Sequence, residues 1–312
     1  MKFMLLTDFF CNKIISARKR LFVVVLASLF LPLSEAADFS PDDLKWNHLK
    51  YSGSKLFMSM NTSVKLDVIN KNEASQALIV PPEGLGKPVR SDQVVRINVQ
   101  NSVIGSKTDF TVWLEPDTTV LQRTSIYGGI KEWYRTYRFM GDKVFSDKRK
   151  PAKSSEEGES WDTWTNKRPN FYALDDVEQS VVVSESEAIF YLIGVADLAK
   201  VGDETTLNIY DRDGVIAAKI KVIGTKKVSV DYIVKHDGKS SRVKKKINAL
   251  EVVLEAKSIK EGGNLDDFKF LGYKDDIRML INPELNAVLQ ISGSIEYVGE
   301  VIIRLEEITL KP

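Results

Sequence analysis

The sequence predicts a mostly β protein, built from curved antiparallel sheets or partly open barrels with one packed α-helix at about residues 184–199. Apolar and polar residues alternate with a period of two along most of the chain, as on strands with one buried face and one wet face. Tight-turn sequences separate the alternating runs, and one strongly apolar segment follows a helix-capping sequence. These features predict roughly a dozen strands and a single helix.

The first alternating run covers residues 55–68. Its even positions are mostly apolar: Leu56, Met58, Met60, Thr62, Val64, Leu66 and Val68. The same period recurs at Val95/Ile97/Val99, Phe110/Val112/Leu114, Trp133/Tyr137/Phe139, Ile216/Ala218/Ile220/Val222, Val228/Val230/Tyr232/Val234, Leu289/Ile291/Ile295/Tyr297 and Val301/Ile303/Leu305. Each run is therefore predicted to be a strand that buries one face.

Turn and cap sequences mark the ends of these elements. Residues 213–214 and 237–238 are both Asp-Gly, a pair that tolerates the positive backbone angles of tight hairpins. Ser184 and Glu187 have the spacing of a capping box, in which each side chain bonds a backbone N–H at the start of a helix. The apolar segment that follows is predicted to be a helix clamped against a sheet.

Composition divides the chain after residue 36 into three parts. Residues 37–145 are predicted to form an N-terminal antiparallel β half, and residues 184–312 the helix with a C-terminal antiparallel β half. Between them, residues 146–183 are predicted to be a polar linker or loop. Charged stretches at residues 148–150 and 156–159 offer little surface to bury there.

Residues 1–36 have the layout of a cleaved secretory signal peptide. Three basic residues at 18–20 precede an apolar run at residues 21–33, and small residues precede a cut after Ala36. The apolar run is shorter than the roughly 20 residues that span a bilayer, which favours cleavage over an uncleaved anchor. We therefore expect export to the periplasm, with no stable membrane span after signal cleavage.

Charge and cysteine content limit the partners of the mature chain. Residues 1–36 hold five of the 44 basic and two of the 43 acidic residues, which leaves 39 and 41. This balance gives no electrostatic reason to expect nucleic acid as a partner. Cys11, the only cysteine, is removed with the signal, so the mature chain has no disulfide. No cofactor and no metal are expected.

Catalysis has little support in the sequence. The mature chain has two histidines, His48 and His236, and it lacks the serine-hydrolase elbow and the zinc-protease motif. No catalytic residue is therefore assigned. A glycosidase-type pair of carboxylates stays open, because acidic residues distant in sequence can converge in space.

The candidate ligand-binding residues are aromatic and form two groups. The first lies in one predicted strand that also carries two arginines. The second lies in the polar segment 146–183, where large aromatic rings have few apolar neighbours in sequence. The candidates are Trp133, Tyr137 and Phe139 in the first group, and Trp161 and Trp164 in the second. For both groups, packing against the protein's own sheet is the alternative to a ligand.

The densest basic run in the mature chain covers residues 242–246. Its lysines are typical of a solvated edge strand that is protected against pairing. Contact with an anionic glycan or lipid head group is the alternative.

Several stretches resemble a family of exported Gram-negative proteins, the domain of unknown function 3108. They are residues 51–58 (YSGSKLFM), residues 113–118 (WLEPDT), the capped helix at 184–199 with its following Asp-Gly hairpin, and residues 276–285 (DIRMLINPEL). The resemblance covers most of the mature chain. It implies a curved, mostly antiparallel β fold in the periplasm and no established activity, so it assigns no site residues.

Three functions are consistent with the sequence. The first is a soluble, periplasmic, non-catalytic binding or envelope-maintenance protein that holds a lipid, a glycan or a partner segment in an apolar β groove. The second is a carboxylate-based hydrolase of envelope glycans, which predicts two carboxylates facing one cleft about 5–10 Å apart. The third is a structural protein partner in an outer-membrane complex, which predicts an exposed apolar patch.

Overall fold

The computed structural model describes residues 39–312, apart from residues 56–57, 104, 130, 175–176, 179, 213 and 261–267. The described residues belong to one compact unit, Ala36–Pro312. The predicted signal peptide at residues 1–36 lies outside the described residues, so export and cleavage stay predictions.

The described residues form fifteen strands and two α-helices. The first eight strands are β1 (Trp46–Lys55), β2 (Met58–Asn70), β3 (Gln93–Val103), β4 (Ser106–Leu114), β5 (Val120–Gly129), β6 (Trp133–Phe139), β7 (Lys143–Lys150) and β8 (Asn166–Ala173). The others are β9 (Val183–Ser184), β10 (Glu204–Asp211), β11 (Gly214–His236), β12 (Lys239–Ser258), β13 (Tyr273–Asn282), β14 (Ala287–Ile295) and β15 (Gly299–Leu310). The helices are α1 (Lys71–Ala77) and α2 (Ala188–Val195).

All fifteen strands belong to one large, curved sheet. Its order is β8-β7-β6-β5-β4-β3-β2-β1-β15-β14-β13-β12-β11-β10-β9, and β11 also pairs with β15. Neighbouring strands are antiparallel, except that β9–β10 and β11–β15 are parallel pairs. The predicted mostly β class, with a curved sheet and a packed helix, is confirmed, and the sheet is mixed and does not close into a barrel.

One face of the sheet, here called the inner face, contains the main core. Strand register places inner-face residues in rows that cross the strands. One row runs Leu66–Ile97–Val112–Arg123–Tyr137 from β2 to β6. Its first three side chains are fully buried aliphatic residues. The inner face therefore changes from aliphatic to polar at β5, where the row reaches an arginine.

Helix α2 packs into this core and is apolar all round. Its side chains from residues 188 to 193 are at most 1 % exposed, as expected for a helix that is enclosed on every side. A Cβ atom at Gly194 would overlap Leu44 Cδ1, so the close approach of these two residues requires glycine. No helix in the described part of the chain is long and apolar enough to cross a membrane.

The helix is shorter than the predicted 184–199. Ser184 belongs to β9, where it pairs with Ile209. The Glu187 carboxylate accepts hydrogen bonds from Arg123 instead of bonding the helix N-terminus. The predicted capping box is therefore not formed, because Glu187 pairs with the buried Arg123 of β5.

The segment 146–183, predicted as a polar linker or loop, contains the end of β7 and all of β8. Phe145 and Phe171 pack across these two strands with ring centroids 5.2 Å apart. Strand pairing continues through this region, and the two predicted β halves join within one sheet through β15. Many of the charged residues in this segment lie on β7 and β8, so a high density of charge did not indicate a linker here.

A second, smaller cluster lies on the opposite, outer face under α1. It consists of Ile69, Ala74, Val89, Val94 and Leu121. Arg138 of β6 fixes the neighbouring loop by donating hydrogen bonds to the backbone carbonyls of Ile79, Lys87, Leu121 and Phe139 at 2.7–3.2 Å. Burial lowers the pKa of Arg138 to about 10.

Strands β11 and β12 form a long hairpin whose far end returns to the sheet. Ile233 and its neighbours pair in parallel with β15 from Glu307 onward. Within the described residues, the far part of β12, residues 239–249, pairs only with β11. The basic run at 242–246 therefore lies on a free strand edge, and its Arg242 bonds Asp231 at 2.6 and 2.8 Å.

Candidate functional site

A cavity of about 250 Å³ opens where the polar part of the inner face meets β10 and the turn before α2. Strands β5 and β6 contribute Arg123, Arg135 and Tyr137 to its lining, and the β9–α2 turn and β10 contribute Glu185 and Tyr210. Residues far apart in sequence thus converge on a charged and phenolic pocket.

Arg123 forms the floor of the cavity with two carboxylates. Its Nη2 and Nε atoms donate to Glu187 at 2.8 and 3.3 Å, and Nε lies 3.4 Å from Glu185 Oε2. Its Nη1 donates to Ser125 Oγ at 2.8 Å. Burial alone would lower the pKa of Arg123, but the adjacent carboxylates raise it above its ordinary value. The guanidinium is therefore charged at every physiological pH.

Glu185 is held in an unusual protonation state. The residue is 5 % exposed, and this burial raises its pKa to about 8. Arg123 opposes the rise, whereas Glu187 and Asp211 add to it. Because the raised pKa exceeds 7, the carboxyl is mainly neutral at physiological pH and can donate as well as accept a hydrogen bond.

Three buried polar atoms in this lining have no hydrogen-bond partner among the described residues. They are Glu185 Oε1, Tyr210 Oη and Arg135 Nε. Tyr210 is 6 % exposed, and burial raises the pKa of its phenol. Buried polar groups are almost always satisfied, so three unsatisfied atoms on residues that line one small cavity are unusual.

Beside the cavity the inner face carries an aromatic and cationic surface. Trp133 stacks on Tyr127 with ring centroids 3.8 Å apart and 19° between the planes. Arg135 Cζ and Lys148 Nζ each lie 5.6 Å from the Trp133 ring centroid, a separation typical of cation–π contacts. Arg135 Nη1 also donates to Tyr137 Oη at 2.9 Å.

The structure divides the five candidate aromatic residues between the two faces. Trp133 and Tyr137 lie on the inner face at or beside the cavity. Phe139 shares this face but is fully buried, with its ring 5.2 Å from that of Tyr210. It therefore belongs to the core and reaches no ligand.

The second aromatic group lies away from the cavity. Trp161 stacks on Tyr134, an outer-face residue of β6, with centroids 3.9 Å apart and 6° between the planes. Trp164 is 3 % exposed, and its Nε1 donates to the Glu156 carbonyl at 2.9 Å. Trp164 thus fastens its own loop, and the two predicted aromatic groups do not form a single site.

Arg123, Glu185 and Tyr210 were not among the predicted site residues. One signal was present in the sequence: Glu185 and Glu187 stand between two strongly apolar stretches, where a carboxylate has to be buried. Such a carboxylate needs a cationic partner, but nothing local identifies Arg123, which is more than sixty residues away.

Neither histidine lines this cavity. Half-buried His48 of β1 lies 2.8 Å from Ser63 Oγ through its Nε2 atom, and burial lowers its pKa. His236 is the last residue of β11, and its Nε2 atom lies 3.7 Å from Asp237 Oδ2. Across the part of the chain that the structure describes, no group of three or more His, Cys, Asp or Glu residues is arranged to hold a metal ion.

Comparisons with protein-family models, curated proteins and solved structures find no match to this chain. The resemblance to the domain of unknown function 3108 therefore stays a prediction.

Proposed function

We propose that this chain is a non-catalytic periplasmic binding protein whose ligand places polar atoms in the cavity floored by Arg123. Placement in the periplasm relies on the signal-like residues 1–36. The predicted apolar groove is replaced in this proposal by a charged one, because the lining holds three arginines, a lysine, a glutamate and an aspartate. Such a lining suits a glycan or a lipid head group better than an acyl chain.

The orphaned atoms Glu185 Oε1, Tyr210 Oη and Arg135 Nε carry the proposal. An unsatisfied buried polar group costs about 1–3 kcal/mol. A polar ligand that forms hydrogen bonds with all three atoms would offset this free-energy cost. A fixed hydrogen-bond set of this kind gives orientation and specificity in small-molecule sites.

Native mass spectrometry of protein purified from its own host tests this function. We expect a co-purified small molecule that is lost from Tyr210→Phe, which removes one orphaned hydroxyl and little volume. Tyr134→Phe is the matched control, since that hydroxyl lies on the outer face. A ligand-free wild-type protein, together with equal thermal stability before and after addition of host envelope extract, would refute the proposal.

The hydrolase reading is favoured by one specific observation. Glu185 and Asp211 line the same cavity, and Asp211 helps to raise the Glu185 pKa to about 8. A carboxyl that is neutral at pH 7 and faces the same cavity as a second carboxyl resembles a general acid with its partner. Hydrolysis of a purified envelope glycan by wild-type protein, abolished in both Glu185→Gln and Asp211→Asn, would establish it in place of the binding function.

A further inference from the structure

Three cations stand directly opposite one another on the inner face of β6, β7 and β8. Register pairs Arg135 with Lys148, and Lys148 with Arg168. Adjacent strands are about 4.8 Å apart, and like charges in directly opposed positions destabilise a sheet. We call Arg135, Lys148 and Arg168 the cationic row.

The row has no carboxylate partner among the described residues. Arg135 bonds the Tyr137 hydroxyl, Arg168 bonds the Asn166 side-chain oxygen at 3.2 Å, and Lys148 makes a cation–π contact with Trp133. Burial, followed by Arg135 and other nearby cations, lowers the pKa of Lys148. The repulsion between these positive charges is therefore not balanced by a carboxylate among the described residues.

Several cations elsewhere on the sheet are paired with carboxylates. Arg149, the next residue along β7, points to the opposite face and lies 2.7 Å from Asp147. Lys50 and Lys235 share Glu307, each at 2.8 Å. These three cations are balanced by carboxylates, whereas the members of the cationic row are not.

The surroundings of the row narrow the chemistry of its ligand. Half-buried Trp133 lies next to the row, with one face of its ring stacked on Tyr127 and with Arg135 and Lys148 each 5.6 Å from its centroid. Arg135 belongs both to the row and to the cavity, so the two are continuous. In the cavity, the orphaned groups of Glu185 and Tyr210 suit a hydroxyl, which both donates and accepts.

We propose that the cationic row binds the acid groups of an acidic oligosaccharide, whose hydroxyl groups enter the adjoining cavity. This inference rests on the proposed binding function and names its ligand class. A DNA backbone offers no hydroxyl donors, and the charged cavity lining does not suit an acyl chain. An acidic oligosaccharide supplies acid groups for the row and hydroxyl groups for the cavity.

Isothermal titration calorimetry tests the inference with defined probes. The acidic probes are trigalacturonate and a heparin-derived hexasaccharide; maltotriose, inorganic phosphate and decathymidylate are the comparisons. We expect at least one acidic sugar to bind at least tenfold more tightly than every comparison probe, with an affinity that falls as salt rises.

Substitutions within the row locate the binding. Lys148→Gln and Arg168→Gln should each weaken the acidic sugar about tenfold, whereas Lys245→Gln on the free edge of β12 should leave it unchanged. Without ligand, Lys148→Gln should raise the urea midpoint by relieving like-charge repulsion, which also shows that the variant folds.

Each other outcome overturns the inference. Equal binding of phosphate would indicate a simple anion site, and tighter binding of decathymidylate a nucleic-acid site. If neither acidic probe binds, an acidic sugar is excluded as the ligand class. If no acidic probe binds but the host-purified protein carries a ligand that Tyr210→Phe loses, the acidic-sugar inference fails and the proposed binding function survives. If acidic probes bind equally well to wild type and Tyr210→Phe, the proposed role of the cavity fails.

Discussion

Replacing Glu185 by glutamine should change how stability depends on pH. In the folded protein burial raises the pKa of Glu185 from an ordinary 4.5 to about 8. A carboxyl with a raised folded pKa stabilises the fold fully below its unfolded pKa, and this contribution is lost as pH rises toward the folded pKa. Wild type should therefore lose stability between pH 4.5 and pH 8, and the neutral amide should not.

The size of the effect follows from linkage. Each pKa unit corresponds to about 1.4 kcal/mol, so the Glu185 contribution falls by about 3 kcal/mol between pH 4.5 and pH 7, as an order of magnitude. His48 titrates with the opposite sign because its pKa is lowered. Its contribution cancels in the difference between wild type and Glu185→Gln, which is the quantity to compare.

Urea unfolding at pH 5, 7 and 8.5 measures this difference. Relative to wild type, the free energy of unfolding of Glu185→Gln should increase by about 1 kcal/mol or more from each of these pH values to the next, up to pH 8. Glu187→Gln is the comparison variant: it removes the charge that pairs with Arg123 and should cost about 3–5 kcal/mol at pH 5. Its cost should fall as pH rises, because Glu187 also raises the Glu185 pKa. Parallel stability curves for wild type and Glu185→Gln would show that Glu185 is ionised in the fold, and the neutral-carboxyl argument would fail.

Three further predictions concern stability. Arg138→Met should lower the free energy of unfolding by about 3 kcal/mol or more in urea titrations, because four carbonyls lose their donor; full recovery by Arg138→Lys would contradict the need for a forked donor. Gly194→Ala should cost about 1–3 kcal/mol despite the better helix propensity of alanine, and adding Leu44→Ala should make the glycine substitution less costly. Glu156 accepts three hydrogen bonds that lower its pKa to about 2, so Glu156→Ala should open residues 151–165 to limited proteolysis at neutral pH. Wild type should become equally cleavable only as acid protonates this carboxyl, and unchanged cleavage in the variant would contradict the loop role.

The strands were predictable where alternation reports one buried and one wet face. The runs around Val64, Ile97 and Val112 satisfy this condition and form β2, β3 and β4. The condition fails where the inner face is itself polar. Lys148 and Arg168 occupy inner-face positions of β7 and β8, so their strands carry charge on both faces and resembled a linker.

The candidate site was only partly predictable for a related reason. Trp133 and Tyr137 stood out because they are large and alternate along one strand. The charged members of the cavity depend on tertiary contact between β5 and the turn before α2, which no local pattern encodes. In the same contact Glu187 pairs with Arg123, so the capping box that the spacing of Ser184 and Glu187 indicated is not formed.

The position of β15 has a consequence for how the protein is made. The last strand of the chain lies between β1 and β14, and Trp46 pairs with Leu310. Until residues 299–310 are in place, one edge of β1 has no neighbour, and the chain carries two sheet fragments with exposed edges. Pairing across such a separation in sequence is slow, and open edges invite aggregation. Loss of even this final strand should therefore leave two half-sheets that cannot join, rather than a slightly shortened protein.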